Sequence, residues 1–205
     1  MVFSIGTTLA YLAWTGNQTP NRSTSGEVEL QIVENGTALA DVYAENEVDS
    51  GSGNKVVQVK STESANRSDE VVRITFVPEV ASNDDTGNVA MNETWTEVKS
   101  EAVGGSTKYF IETELLKLYL ADDWQSYYIY KDGVFYYNRV VSTGTTTEEL
   151  LSGVVLQDGV NKADYGDIKV NVIADAIQSS PADSPKKWGL KISDDGSKAV
   201  SFITG

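Results

Sequence analysis

The sequence predicts an all-β sandwich. Three observations carry that expectation: β-rich residue usage, alternating apolar runs of strand length, and turn signals between those runs. Ser, Thr, Asn and Gly are abundant, valine is the commonest apolar residue and tyrosine the commonest aromatic. That is strand-and-turn chemistry. Residues that favour helices are not gathered into long windows. At 205 residues the length favours one domain. A chain of this size buries roughly 70% of its unfolded surface, so a core can form without covalent staples.

Taken in order, the chain begins with Met1 to Trp14, which carries no charged side chain. The run is too short for a membrane-spanning helix, which needs about 20 apolar residues. Its odd positions (Met1, Phe3, Ile5, Thr7, Leu9, Tyr11, Ala13) are mostly large, and its even ones (Val2, Ser4, Gly6, Thr8, Ala10, Leu12) smaller on average. Low polarity with alternating size fits a strand buried on both faces. The tail of a signal peptide has a similar apolar length, but no basic segment precedes this one. Gly16 to Gly26 is polar and turn-rich, which reads as a linker.

Val28 to Val33 alternates as a strand and runs into Asn35-Gly36, a tight-turn pair. Lys55 to Lys60 follows a Ser/Gly-rich loop. Glu70 to Val77 is a strong strand, expected to stop at Pro78. Asn83 to Gly87 is a turn cluster, with strands expected over Glu93 to Lys99 and Tyr109 to Leu120. Trp124 to Val141 is the clearest hairpin, because Asp132-Gly133 joins two aromatic, β-branched runs. Ser152 to Leu156, Ile168 to Ala174, Gly189 to Ile192 and Ala199 to Thr204 complete the strands. Thr146 to Leu151 and Pro181 to Trp188 are each expected to form a single helical turn. About ten strands with turns between them indicate a sandwich or jelly roll, and no internal repeat is present.

Composition narrows the chemistry. Cysteine and histidine are both absent. That removes thiolate zinc sites, a thiol nucleophile, the commonest general base, and any Ser-His-Asp triad or His-ligated zinc protease. The net charge of −14 argues against nucleic acid or an anionic bilayer as partner.

Several stretches resemble the TasA/camelysin family of exported fibre proteins. Tyr130-Lys131-Asp132-Gly133-Val134-Phe135-Tyr136-Tyr137-Asn138-Arg139-Val140-Val141, then Thr143-Gly144-Thr145-Thr146-Thr147 and Leu150, is the longest. Leu120-Ala121-Asp122-Asp123-Trp124 is similar to the turn that family places ahead of its aromatic strands. Glu70 to Pro78, Ala174-Asp175-Ala176-Ile177-Gln178, Trp188-Gly189 and Gly6-Thr7-Thr8-Leu9-Ala10-Tyr11 add further matches. They occur in the family's order and span most of the chain. Ser142-Thr143-Gly144 departs from it, standing where the family usually has Pro-Gly.

The resemblance implies a secreted, jelly-roll-like β-sandwich over residues 27–205, a linker over 17–26, and an N-terminal strand, 1–16, that extends out of the domain. It implies export with signal cleavage near Ala10, and assembly into filaments of a biofilm matrix or cell surface. In related filaments one subunit's N-terminal strand completes its neighbour's sheet. Such a homopolymer has itself as partner and no membrane contact in its mature form. If the strand is kept and docks, Phe3, Ile5, Leu9 and Tyr11 are the interface anchors, whereas cleavage near Ala10 leaves Tyr11 close to the mature start. Two other readings of Met1 to Trp14 stay open: the domain's own first strand, and an uncleaved signal.

Some residues invite other functions. The aromatics Trp124, Tyr127, Tyr128, Tyr130, Phe135, Tyr136 and Tyr137 suit a monomeric carbohydrate-binding or adhesin sandwich, although alternation puts only half on any one face. Cross-strand packing is the simpler account. Asp84-Asp85, Asp122-Asp123 and Asp194-Asp195 are oxygen-rich turns of the kind that suits Ca²⁺, but none matches an EF-hand loop. No other cofactor is expected. Asn17, Asn21, Asn35, Asn66 and Asn92 each begin an Asn-x-Ser/Thr triplet, the acceptor pattern for glycosylation. Asp49-Ser50-Gly51 and Asp85-Thr86-Gly87 have the form of aspartic-dyad triplets, yet both sit in turn-forming surroundings. A non-enzymatic role is the expectation.

Overall fold

A computed structural model describes residues 29–38, 43–47, 54–62, 68–81, 88–90, 95–160, 168–180 and 184–204. The alternating runs become two antiparallel sheets packed face to face, as the sequence predicts. Sheet one contains β1 (Leu30–Glu34), β2 (Thr37–Ala38), β4 (Asn54–Ser61), β7 (Lys99–Val103), β8 (Ser106–Glu112), β9 (Leu116–Leu120) and β12 (Leu151–Leu156). Its strand order is β2-β1-β4-β12-β9-β8-β7. Sheet two contains β3 (Tyr43–Glu47), β5 (Glu70–Ala81), β10 (Tyr128–Lys131), β11 (Val134–Tyr137) and β13 (Ile168–Gln178), in the order β10-β11-β5-β13-β3. The short β6 (Asn88–Ala90) pairs with the far end of β5.

Alternation decides what lies between the sheets. Ile32, Val57, Val59, Ile111, Leu116, Leu118, Leu120 and Leu151 from sheet one meet Val72, Ile74, Phe76, Phe135, Ile168, Val170 and Val172 from sheet two in one core. On β5 and β13 the other face is partly buried too. Val71 and Ile177 join Tyr136, Leu190 and Val200 in a second apolar cluster. It forms where a C-terminal hairpin, β14 (Leu190–Ile192) and β15 (Val200–Phe202), covers the outside of sheet two. That cover explains why Val71 and Val72 are both fully buried despite adjacent positions on a strand. Arg73 helps hold the cover. Its guanidinium pairs with Asp175 at 3.0 Å and lies over the Trp188 ring at 4.4 Å.

The tight turns sit where the sequence places them. Asn35-Gly36 and Asp132-Gly133 both take positive φ, the conformation a two-residue hairpin loop requires. Gly104-Gly105 does the same between β7 and β8.

Four expectations need correction. Pro78 does not end its strand: β5 continues to Ala81. Along one side of β5, β11 pairs up to Thr75 and β6 begins at Glu79. At Phe76 to Pro78 that side has no strand among the described residues, so the missing N–H breaks no ladder bond there. The Trp95 indole occupies the gap, its Nε1–H donating to the Phe76 carbonyl at 2.6 Å.

The strand expected over Glu93 to Lys99 starts instead at Lys99, with residues 95–98 irregular. The run Tyr109 to Leu120 divides into β8 and β9 at a turn in which the Thr113 hydroxyl accepts from the N–H of Leu115 and of Leu116. Thr146 to Leu151 is not helical. It lies along β4, Thr147 and Leu150 donating to the carbonyls of Val59 and Val57, as suits a Thr-rich segment with stiff side chains. The turn expected within Pro181 to Trp188 is present as a 3₁₀ turn over Pro185–Trp188.

Candidate functional site

The aromatic segment after Asp123 is largely structural. Trp124 opens a 3₁₀ turn, Trp124–Ser126, so the hairpin proper begins at Tyr128. Alternation then sends Tyr128, Tyr130, Phe135 and Tyr137 toward the core and Tyr136 outward. Phe135 meets Phe76 and Trp124 edge-on at 5.9 Å each, and Tyr130 at 4.7 Å. Tyr136 packs against Phe202 and Trp188 of the C-terminal cover. Tyr128 donates to the Glu148 carbonyl at 2.6 Å, and the Tyr137 hydroxyl donates to the Glu148 carboxylate. Burial pushes both phenols well above the ordinary tyrosine range. These rings fill the sandwich instead of forming an exposed sugar platform, so cross-strand packing is the correct account of most of them.

One side of the sandwich is open. Sheet one ends at β7 and sheet two at β10, and among the described residues each pairs on one side only. A cleft of 260 Å³ lies between these two edges, lined by Glu97, Val98, Lys99, Ser100, Tyr109, Trp124, Gln125 and Tyr130. The register explains its form. Ser100 stands opposite Tyr109 and Ala102 opposite Thr107, so Ser100 and Ala102 share the core-facing side of sheet one with Tyr109. Yet both are exposed, as are Lys99 and Val103. A sandwich strand is ordinarily covered on one face; β7 is exposed on both.

The cleft floor is aromatic and its rim polar. Tyr109 meets Trp124 edge-on at 6.2 Å. Tyr130 ties β10 to the segment before β7 by donating to the Thr96 carbonyl at 2.9 Å, and burial pushes its phenol up to about 12. Trp124 is only 6% exposed, yet its Nε1–H has no acceptor among the described residues. Leaving a buried donor unsatisfied costs about 1–3 kcal/mol.

The outer face of the β7–β8–β9 corner carries a charge ladder. Lys117 reaches Glu101 at 3.1 Å, Tyr119 donates to Glu101 at 2.6 Å, and Lys99 pairs with Glu112 at 2.7 Å. Lys117 also lies over the Phe110 ring at 4.4 Å. The hydrogen bonds from Tyr119 and Lys117 hold Glu101 below the usual carboxylate range, and those from Lys99 and Gln157 do the same for Glu112.

The sequence-predicted sites fare differently. Phe3, Ile5, Leu9 and Tyr11 lie outside the described residues, as do Asn17, Asn21, Asn66, Asn92, Asp84-Asp85 and both dyad triplets. Asn35 occupies the exposed β1–β2 turn, where its Oδ1 accepts from the Val56 N–H at 3.0 Å. Asp122 pairs with Lys108 at 2.7 Å, and Asp195 accepts from the Ser197 N–H at 2.9 Å, so these acidic pairs serve turns and ion pairs. No group of three or more acidic residues among the described residues is placed to hold a metal ion. The reading from sequence missed the cleft residues Glu97, Lys99, Ser100, Tyr109 and Gln125. Gly104-Gly105 signals the β7–β8 hairpin but not that β7 ends its sheet, so no local signal marks the cleft.

No family model, curated protein or solved structure matches the chain. The resemblance to the TasA/camelysin family is carried by the quoted motifs alone.

Proposed function

We propose that this chain is a non-catalytic structural subunit of an extracellular filament. Copies join head to tail, the N-terminal strand of one completing the sandwich of the next. The observation that carries the reading is the open side: an edge strand, β7, whose backbone pairs along one side only among the described residues and whose faces are both exposed. Such an edge is a standing template for strand addition, and an exported protein that keeps one has a use for it. The sequence supplies a matching strand. Met1 to Asn21 is the longest uncharged run in a chain of net charge −14, so it can approach another copy without adding to their repulsion. The jelly-roll connectivity, the export route and the biofilm or cell-surface setting belong to the same proposal and rest on the motif resemblance.

Electron microscopy of the full chain beside Ile5→Asp and Leu9→Asp variants tests it. A charge at a buried donor position is costly. Both variants should remain folded by circular dichroism and form no filaments. Filaments of normal length from both would remove the N-terminal segment from the interface.

A further inference from the structure

We infer that the cleft between β7 and β10 is a carbohydrate site that takes one neutral pyranose residue of a polysaccharide. A single copy suffices, so the site stands or falls separately from the filament reading. A neighbour's strand laid along β7 would close the cleft, so the site belongs to copies whose β7 is uncovered.

Size bounds the ligand first. At 260 Å³ the cleft falls just below the roughly 300–1,000 Å³ of pockets that enclose a drug-sized molecule, which leaves room for about one ring. Floor and rim then select the kind of ring. Tyr109 and Tyr130 line the cleft half-buried, beside the buried Trp124. Aromatic walls of this kind pack against the C–H face of a pyranose. Glu97, Ser100 and Gln125 are exposed at the rim. Together they offer both donors and acceptors, which suits sugar hydroxyls that do both.

The buried Trp124 Nε1–H discriminates further. It has no acceptor among the described residues. A ligand oxygen beside the ring supplies one; an apolar molecule or a quaternary ammonium group does not. Charge then removes acidic ligands. The chain carries −14, Glu97 lines the cleft, and the cation there, Lys99, is already paired with Glu112 at 2.7 Å. A neutral sugar keeps the oxygens and avoids the repulsion. Position favours a polymer over a free monosaccharide. Among the described residues β7 pairs only with β8, so its other side offers backbone N–H and C=O groups to sugar residues flanking the bound one.

The chain has four tryptophans, Trp14, Trp95, Trp124 and Trp188, so indole N–H signals in an NMR spectrum report on the site directly. The Trp124 signal is identified by its loss when benzothienylalanine, similar in size but without the N–H, replaces that residue. Full-length protein, dilute enough to stay monomeric by light scattering, is titrated with methyl glycosides of glucose, galactose and mannose, with N-acetylglucosamine, and with glucuronate. At least one neutral sugar should move the Trp124 signal saturably, with a midpoint on the order of 1–10 mM for so small a ligand. Trp95 and Trp188 should not move, and glucuronate should bind at least about tenfold more weakly. Ser100→Phe, altered at an exposed position on the cleft side of β7, should keep the parent's circular dichroism. Its ring would take up sugar space and weaken binding about tenfold or more.

If no neutral sugar moves the Trp124 signal at about 100 mM, or if Ser100→Phe binds as the parent does, the cleft is not a sugar site. Shifts confined to Trp95 or Trp188 would place the sugar elsewhere and overturn the assignment equally. Glucuronate bound as tightly as the neutral sugars would overturn the choice of a neutral ligand.

Discussion

Trp95 offers a test of how sheet two tolerates its internal gap. Its Nε1–H donates to the Phe76 carbonyl at 2.6 Å, where β11 has ended and β6 has not begun. Phe76 is 2% exposed, so its carbonyl has little access to solvent when that bond is lost. The perturbation is replacement of Trp95 by benzothienylalanine, which keeps the ring's size but has sulfur in place of the N–H. Losing one net hydrogen bond costs about 1 kcal/mol, and stranding a buried acceptor about 1–3 kcal/mol. A loss of about 1–2 kcal/mol follows. For a chain of this length that lowers the melting midpoint by roughly 2–8 °C. Trp95→Phe should lose somewhat more, because it also leaves unfilled volume. The assay is thermal unfolding at low protein concentration, followed by circular dichroism. A midpoint for the isostere equal to the parent's would refute the claim that Trp95 closes the gap.

Two further predictions address the core and the charge ladder. Phe135 is fully buried against Phe76, Trp124 and Tyr130, so Phe135→Ala should cost about 3–5 kcal/mol, measurable by urea unfolding. A loss below about 1 kcal/mol would show that the aromatic cluster is not central to the core. Glu101 is held below its usual value of 4.5 by Tyr119 and Lys117. A depressed carboxylate gives stability that is present above the unfolded value and lost as pH falls through the folded one. Glu101→Gln should therefore reduce the loss of stability between about pH 6 and pH 3; an unchanged pH profile would contradict the ladder's role.

Much of the fold was legible because local and tertiary signals agree. Asp132-Gly133 and Asn35-Gly36 announce their turns through a backbone requirement that few other residues meet. The alternation in β9 matches its buried face, Leu116, Leu118 and Leu120, and in β1 Leu30 and Ile32 follow it while Val33 is buried on the other side as well. The reading failed where long-range context decides. Whether Pro78 ends a strand depends on whether a neighbour pairs beside it, and β6 and β11 leave that place open. Helical propensity at Thr146 to Leu151 yields to the free carbonyls of β4. The cleft was hidden for a related reason. No property of Ser100, Tyr109 or Gln125 alone marks it; it exists because β7 and β10 end their sheets on the same side. The aromatic residues drew attention to this region, though only Trp124 and Tyr130 of that group line the cleft.

The central claim is that the N-terminal segment joins one copy to the next. Electron microscopy of the purified full-length protein beside a chain lacking Met1 to Gly16 tests it most directly. The account predicts filaments from the full chain and none from the truncated one. Filaments from both would contradict it and move the interface elsewhere on the sandwich.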